Sequence, residues 1–182
     1  MPLLNTITTP YAEAFLQVAE SRNEVDEIVE QSKSVLELWS QSSDFSDAMS
    51  SPVLEVETKK AVLEKIFSKK VTPSFLNLLK LLADRKRIGY LDSVLERLLE
   101  LYRAQRNIAL ATVTSATPLN EDQQEALLEN VQSVAGTKNL ELNLKVDPDL
   151  IGGFVVRVGS KVIDASLSGQ VRRMGLELAK VT

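Results

Sequence analysis

Residues 147–170, DPDLIGGFVVRVGSKVIDASLSGQ, decide the fold class. Gly152 and Gly153 stand beside a strongly apolar run, as glycines do in phosphate-cradling loops. A phosphate loop, however, needs its glycines between a strand and the start of a helix, so that backbone N–H groups and the helix dipole face the anion. Here the pair leads into another extended run, FVVRVG, and neither a GK[ST] nor a GxGxxG pattern follows. The two-residue loop Gly159 and Ser160 then returns the chain into KVIDAS, a hairpin signal. In that register Val158 faces Lys161, Val156 faces Ile163 and Phe154 faces Ala165, while Arg157 and Asp164 lie diagonally on the other side. The glycines therefore read as a bend or bulge that feeds a β-hairpin.

Downstream, Ser166 can cap a last helix whose Leu167, Val171, Met174 and Leu178 recur at packing distance, with Gly175 set for close approach to a neighbour. Arg172, Arg173 and Lys180 fall on its solvated face. Upstream, NLELNLKVD alternates Leu140, Leu142, Leu144 and Val146 against polar positions, as a half-buried strand does, until Pro148 breaks it. NIALATVTSA is a further strand candidate. Between the two, Thr117 and Pro118 signal a helix start, and Leu127, Val131 and Val134 mark its packed stripe up to Gly136.

The first part of the chain follows a different pattern. Residues 1–106 hold one glycine, Gly89, against six in 107–182, and after Tyr102 the only aromatic residue is Phe154. This shift predicts an α+β protein: an all-helical domain at 1–106 followed by a small α/β domain at 107–182 with a hairpin and a C-terminal helix. Thr9 with Pro10 and Thr72 with Pro73 each place a hydroxyl N-cap before proline at the first helical position. The helices expected from these signals and from 3-and-4 spacing begin with Pro10 to about Ser21 and a second through Val25, Ile28, Val29, Ser32, Leu36 and Trp39. DFSDAMS, EVETKKAVLEKIF and PSFLNLLKLLADRKR supply three more, and Leu91, Val94, Leu95, Leu98, Leu101 and Tyr102 a sixth.

Composition removes whole classes of chemistry. There is no cysteine and no histidine, which excludes disulfides, thiolate nucleophiles, imidazole catalysis and zinc sites with nitrogen or sulfur ligands. A formal charge of -4, from 21 basic and 25 acidic residues, gives no large positive field for nucleic acid or anionic lipid. No 18-residue apolar run occurs, and the opening MPLLNTITTPYAEAF has neither a signal peptide's pattern nor a transit peptide's arginines. The expectation is a protein without enzymatic activity or cofactor.

What remains conspicuous is surplus apolar surface. The first helix carries two adjoining stripes, Tyr11, Phe15 and Val18 beside Ala12, Leu16 and Ala19, where one suffices to dock a surface helix. The fifth has Phe75, Leu76, Leu78, Leu79, Leu81 and Leu82 around most of its circumference. An all-round apolar helix fits the centre of a bundle; it equally fits a groove, shared with the first helix, for an apolar partner helix.

VDPDLIGGFVVRVGSKVIDASLSGQVRRM resembles the C-terminal signature of the delta subunit of F-type ATP synthases, the family of the mitochondrial oligomycin-sensitivity-conferring protein. PYAEAFLQVA is similar to that family's first helix and LLADRKRIGYLDSVLERLLELYR to its fifth and sixth, so the resemblance spans nearly the whole chain. ATVTSATPL and VQSVAGTKNLELNLKVDP look like the chloroplast and cyanobacterial members. The resemblance implies a non-catalytic stator adaptor. Its six-helix domain would bind the N-terminal helical segment of an alpha subunit, and its second domain the b-type stalk subunits (b and b'), which are anchored in the membrane. The head would thus be kept from turning with the rotor during proton-driven ATP synthesis. The implied place is the cytoplasmic or stromal face of a thylakoid membrane, reached only through the complex. The implied alpha-binding residues are Tyr11, Ala14, Phe15 and Val18 with Phe75, Leu78, Leu79 and Leu82. The alternatives are a helical scaffold for some other amphipathic peptide and a phosphate-ligand enzyme using LIGGF.

Overall fold

The computed structural model describes residues 2–135 and 139–180. Gly136 lies outside the described residues, as do the side chains of Val134, Gly175, Leu178 and Lys180. The protein is a mixed α+β chain that divides into two compact units, Met1–Tyr102 and Arg103–Thr182.

Among the described residues the first unit runs α1 (Pro2–Ser21), α2 (Val25–Gln41), α3 (Ser43–Ser50), α4 (Val56–Phe67), α5 (Pro73–Asp84), a 3-10 turn at Ile88–Tyr90 and α6 (Leu91–Arg106), whose last residues belong to the second unit. One apolar cluster draws on every one of these elements, with Phe75, Ile28, Met49, Leu63, Leu79, Leu82, Leu91 and Leu95 among its fully buried side chains. Thr72 caps α5 as its sequence predicts: its Oγ1 accepts from the Phe75 N–H at 3.3 Å, and Pro73 holds the first position. Gln31 of α2 accepts from the Thr72 N–H at 3.0 Å, which ties the start of α5 to its neighbour.

The first helix departs from the expectation. It does not begin at Pro10 but at Pro2, and Pro10 sits inside it. Proline in a helix interior forfeits one backbone hydrogen bond and crowds the preceding turn. Here the helix nevertheless continues back past Thr8, which is buried, so the local start signal at Thr9 and Pro10 does not set its beginning.

Helix ends in this unit avoid glycine. At the end of α5 the Arg87 N–H donates to Leu82 O (2.7 Å) and the Lys86 N–H to Ala83 O (2.9 Å), with Lys86 at φ 56°, a Schellman turn with lysine in the left-handed position. Asn23, at φ 55°, closes α1 the same way, through Glu24 N–H to Ala19 O at 2.9 Å. Lys59, buried on α4, donates from Nζ to the carbonyls of Met49 (2.6 Å) and Ser51 (2.7 Å) and so caps the C-terminus of α3.

The second unit holds β1 (Ala109–Ser115), α7 (Glu121–Ala135), β2 (Leu140–Val146), β3 (Phe154–Val158), β4 (Lys161–Asp164) and α8 (Leu167–Lys180). The strands form one sheet in the order β2-β1-β3-β4, with β1 parallel to β2 and antiparallel to β3. Central β1 buries Ala111 and Val113 against Val156 of β3 and Leu127 and Val131 of α7. The hairpin register is the predicted one, Val158 opposite Lys161 and Val156 opposite Ile163, and the Ala165 N–H donates to Phe154 O at 3.0 Å.

Three expectations change here. Helix α7 starts not at Thr117 but behind Asn120, whose Oδ1 accepts from the Gln123 N–H (2.8 Å) while Gln123 Oε1 accepts from the Asn120 N–H (3.1 Å). This reciprocal capping box satisfies donors that Thr117 would have left open. Strand β2 lies at a sheet edge, so Leu140 and Leu142 join the core while Leu144 and Val146 are exposed. The α8 positions expected to pack, Leu167, Val171 and Met174, are exposed as well, Val171 at 68%.

Gly153, at φ 80°, bends the chain into β3 where it passes against the start of α8; a β-carbon there would fall on the Ala165 carbonyl oxygen. The first donors of α8 are already taken, Leu167 N–H by Gly152 O (3.0 Å) and Gly169 N–H by Ser166 Oγ (3.0 Å), so this helix start offers no phosphate cradle. Gly153→Ala is expected to lower stability by about 1–3 kcal/mol, from backbone strain added to the clash. Gly159→Ala, at φ 56° in open space, should cost less; thermal melts of the two variants check the order.

A candidate binding cleft between α1 and α5

Helices α1 and α5 meet through an edge-to-face pair, Phe15 against Phe75, with ring centroids 5.5 Å apart and planes at 81°. Ala12 and Ala19, on either side of Phe15 along α1, are fully buried. Beside the ring pair lies a cleft of about 210 Å³, open to solvent and lined mainly by apolar atoms.

The structure sorts the eight residues singled out from the sequence into two groups. Tyr11, Ala14, Phe15, Val18 and Leu78 line the cleft. Phe75, Leu79 and Leu82 do not: each is 0% exposed in the core and presents no surface to a partner. Phe15, 5% exposed, serves both, as its ring closes the floor of the cleft and packs on Phe75. The α5 wall is built instead from Ser74, Asn77 and Leu81 together with Leu78. These recur at 3, 1 and 3, one helical stripe beside the buried stripe of Phe75, Leu79 and Leu82. Their mixed polarity was the available signal: a stripe of Ser, Asn and two Leu marks the rim of a wet groove, not the interior. Val18 at 41% and Leu81 at 43% are the exposed apolar lips.

Polar groups close the two ends. At one, Arg22 Nη1 donates to Ser74 Oγ (3.0 Å), which donates to Glu24 Oε2 (2.7 Å). At the other, Arg87 Nη1 donates to Tyr11 Oη (2.9 Å), with the guanidinium 5.6 Å from the ring centroid. The outer face of α5 is fastened to α4 by ion pairs, Lys80 with Glu64 at 2.5 Å and Lys60 with Asp84. The hydrogen bond from Lys80 lowers the Glu64 carboxyl, and the one to Asp84 raises the Lys60 ammonium. Thus α5 is held from behind while its cleft face stays open.

Leu79→Ala is expected to cost about 2–5 kcal/mol through the cavity it leaves, and Val18→Ala to leave the melting temperature nearly unchanged. Thermal denaturation of the two variants side by side checks the division between core and cleft.

Comparison with known proteins gives a consistent picture. Residues 7–178 match the family described as ATP synthase delta (OSCP) subunit. The chain is 86% identical over 182 residues, the full length of both, to ATP synthase subunit delta of Prochlorococcus marinus. It is 62% identical to that of Synechococcus sp., over 99% of each chain, and 62% identical to the organellar chromatophore protein of Paulinella chromatophora, over 100% of each. In fold it is similar to a chain of the Toxoplasma gondii mitochondrial ATP synthase hexamer, with a TM-score of 0.67 at 20% identity over 93% of this chain and 96% of that one. The chain belongs to the ATP synthase delta (OSCP) subunit family and is a non-catalytic, peripheral-stalk component of an F-type ATP synthase.

Proposed function

We propose that the chain joins the catalytic head to the membrane-anchored stalk, its two units holding different partners. In this reading the six helices α1–α6 act as one bundle whose α1–α5 cleft receives an amphipathic helix from the N-terminal segment of an alpha subunit. The observation that carries it is the cleft itself: solvent-open apolar lips at Val18 and Leu81 directly above a core that is already complete without them. Helix-in-groove recognition needs such a seam, with anchors at helical spacing and a rigid floor. The second unit supplies the surface for the b-type stalk subunits (b and b'). Exposed Leu167, Val171 and Met174 line one side of α8, apolar surface that its own unit does not cover. The complex lies on the cytoplasmic or stromal face of the thylakoid membrane; no described helix of this chain is long and apolar enough to cross a membrane.

Burying a Val or Leu side chain contributes roughly 1.5–3 kcal/mol, so an aspartate at Val18 or Leu81 should weaken binding of a synthetic alpha N-terminal peptide about tenfold or more. Both positions are exposed, so the variants should melt with the wild type. Calorimetric titration of the full chain measures the affinity. Undiminished binding by both variants would refute the cleft as the site. In the same way, Val171→Asp with Met174→Asp should abolish capture by a soluble b-subunit segment while leaving alpha-peptide binding intact.

A further inference from the structure

The two ends of the cleft differ electrically. At the Ser74 end the Arg22 guanidinium and the Glu24 carboxylate meet on one hydroxyl, so cation and anion balance. At the Tyr11 end the Arg87 guanidinium lies against the ring, the last of three consecutive exposed cations, Arg85, Lys86 and Arg87, of which Lys86 lines a separate hollow beside α3 and the 3-10 turn. Among the described residues no carboxylate lies within ion-pairing distance of any of the three; adjacent Asp84 is engaged by Lys60. Cations just past a helix C-terminus complement its dipole, which accounts for their presence near α5. It does not account for the direction of Arg87. The Schellman turn, made with Lys86 at φ 56° where glycine would be unstrained, turns the chain back so that Arg87 lies against the Tyr11 ring at the mouth of the cleft. A chain of net charge -4 thus gathers a local positive field at one end of its apolar groove.

Resting on the cleft reading above, we propose that the α1–α5 groove takes an amphipathic helix bearing acidic side chains at one end, and that Arg87 at its mouth, within the field of neighbouring Arg85 and Lys86, selects that end and so sets the direction in which the helix lies. The apolar lips supply most of the affinity, and the charges supply orientation and encounter rate. Arg87 is the key member, since its fork has donors left beyond the Tyr11 hydroxyl and stacking on the ring holds it in place.

The test uses the full chain and three designed helical peptides that share one apolar stripe and carry three glutamates, three glutamines or three lysines at one end. The glutamate peptide is expected to bind about five- to tenfold more tightly than the glutamine peptide at low salt, and the lysine peptide most weakly. The glutamate advantage should vanish in about 0.5 M salt. It should also collapse in Arg87→Gln, and in the double variant Arg85→Gln with Lys86→Gln, which leaves the Tyr11 contact untouched, yet persist in Arg22→Gln. A photo-crosslinker beside the glutamates should label residues near Tyr11 and not those near Ser74. Equal affinity for glutamate and glutamine peptides, with both still lost in Val18→Asp, would overturn the charge selection while leaving the cleft reading in place. Binding that ignores Val18→Asp would overturn the cleft reading and this inference together.

Discussion

Helix α5 carries more apolar surface than a twelve-residue helix at a bundle's edge needs, and the first unit is arranged around that excess. One stripe, Phe75, Leu79 and Leu82, fills the core and meets α1 through the Phe15 ring. The opposite shoulder is pinned to α4 by two ion pairs, and the N-terminus is tied to α2 through Gln31. What remains is a third stripe, Ser74, Asn77, Leu78 and Leu81, whose outer edge at Leu81 is exposed. The ion pairs and the Gln31 contact orient α5 so that this edge faces solvent.

The second unit meets a different constraint. Its sheet is small, and its central strand β1 must be flanked on both sides before its backbone groups are satisfied. Parallel pairing to β2 requires the α7 crossover, whereas antiparallel pairing to β3 requires the chain to turn sharply beforehand. The Gly152–Gly153 bend does this while also receiving the first turn of α8. One pair of residues thereby sets the hairpin's approach and the helix's starting point, which is why a stretch resembling a phosphate loop is architectural.

What could be read from the sequence follows from how local each signal is. The hairpin register, the Thr72 cap and the α6 stripe were legible because each depends on residues a few positions apart. The start of α1 was not, since the helix runs back through Pro10 to Pro2 despite the local proline signal. Helix stops were equally hidden: Asn23, Lys86 and Asn107 take the left-handed position usually filled by glycine, so no glycine marked them. The four α1 residues singled out from the sequence all line the cleft. Helical spacing could not tell which of α5's two adjoining leucine stripes faced inward, because that depends on where α1, α2, α4 and α6 lie around it.

The ion pairs behind α5 have a consequence for a machine driven by proton movement. Lys60 is raised above the ordinary lysine value of 10.5, so its contribution is complete below that value and fades only as pH rises through the higher folded-state one. Glu64 is lowered below the ordinary 4.5, so its contribution is complete above that value and fades only as pH falls through the lower one. Both displacements point away from neutrality, and the chain has no histidine to titrate between them. The fastening of α5 is therefore buffered against the alkalinity swings that accompany proton pumping: Lys60 and Glu64 keep the same charge whether the membrane is energised or idle.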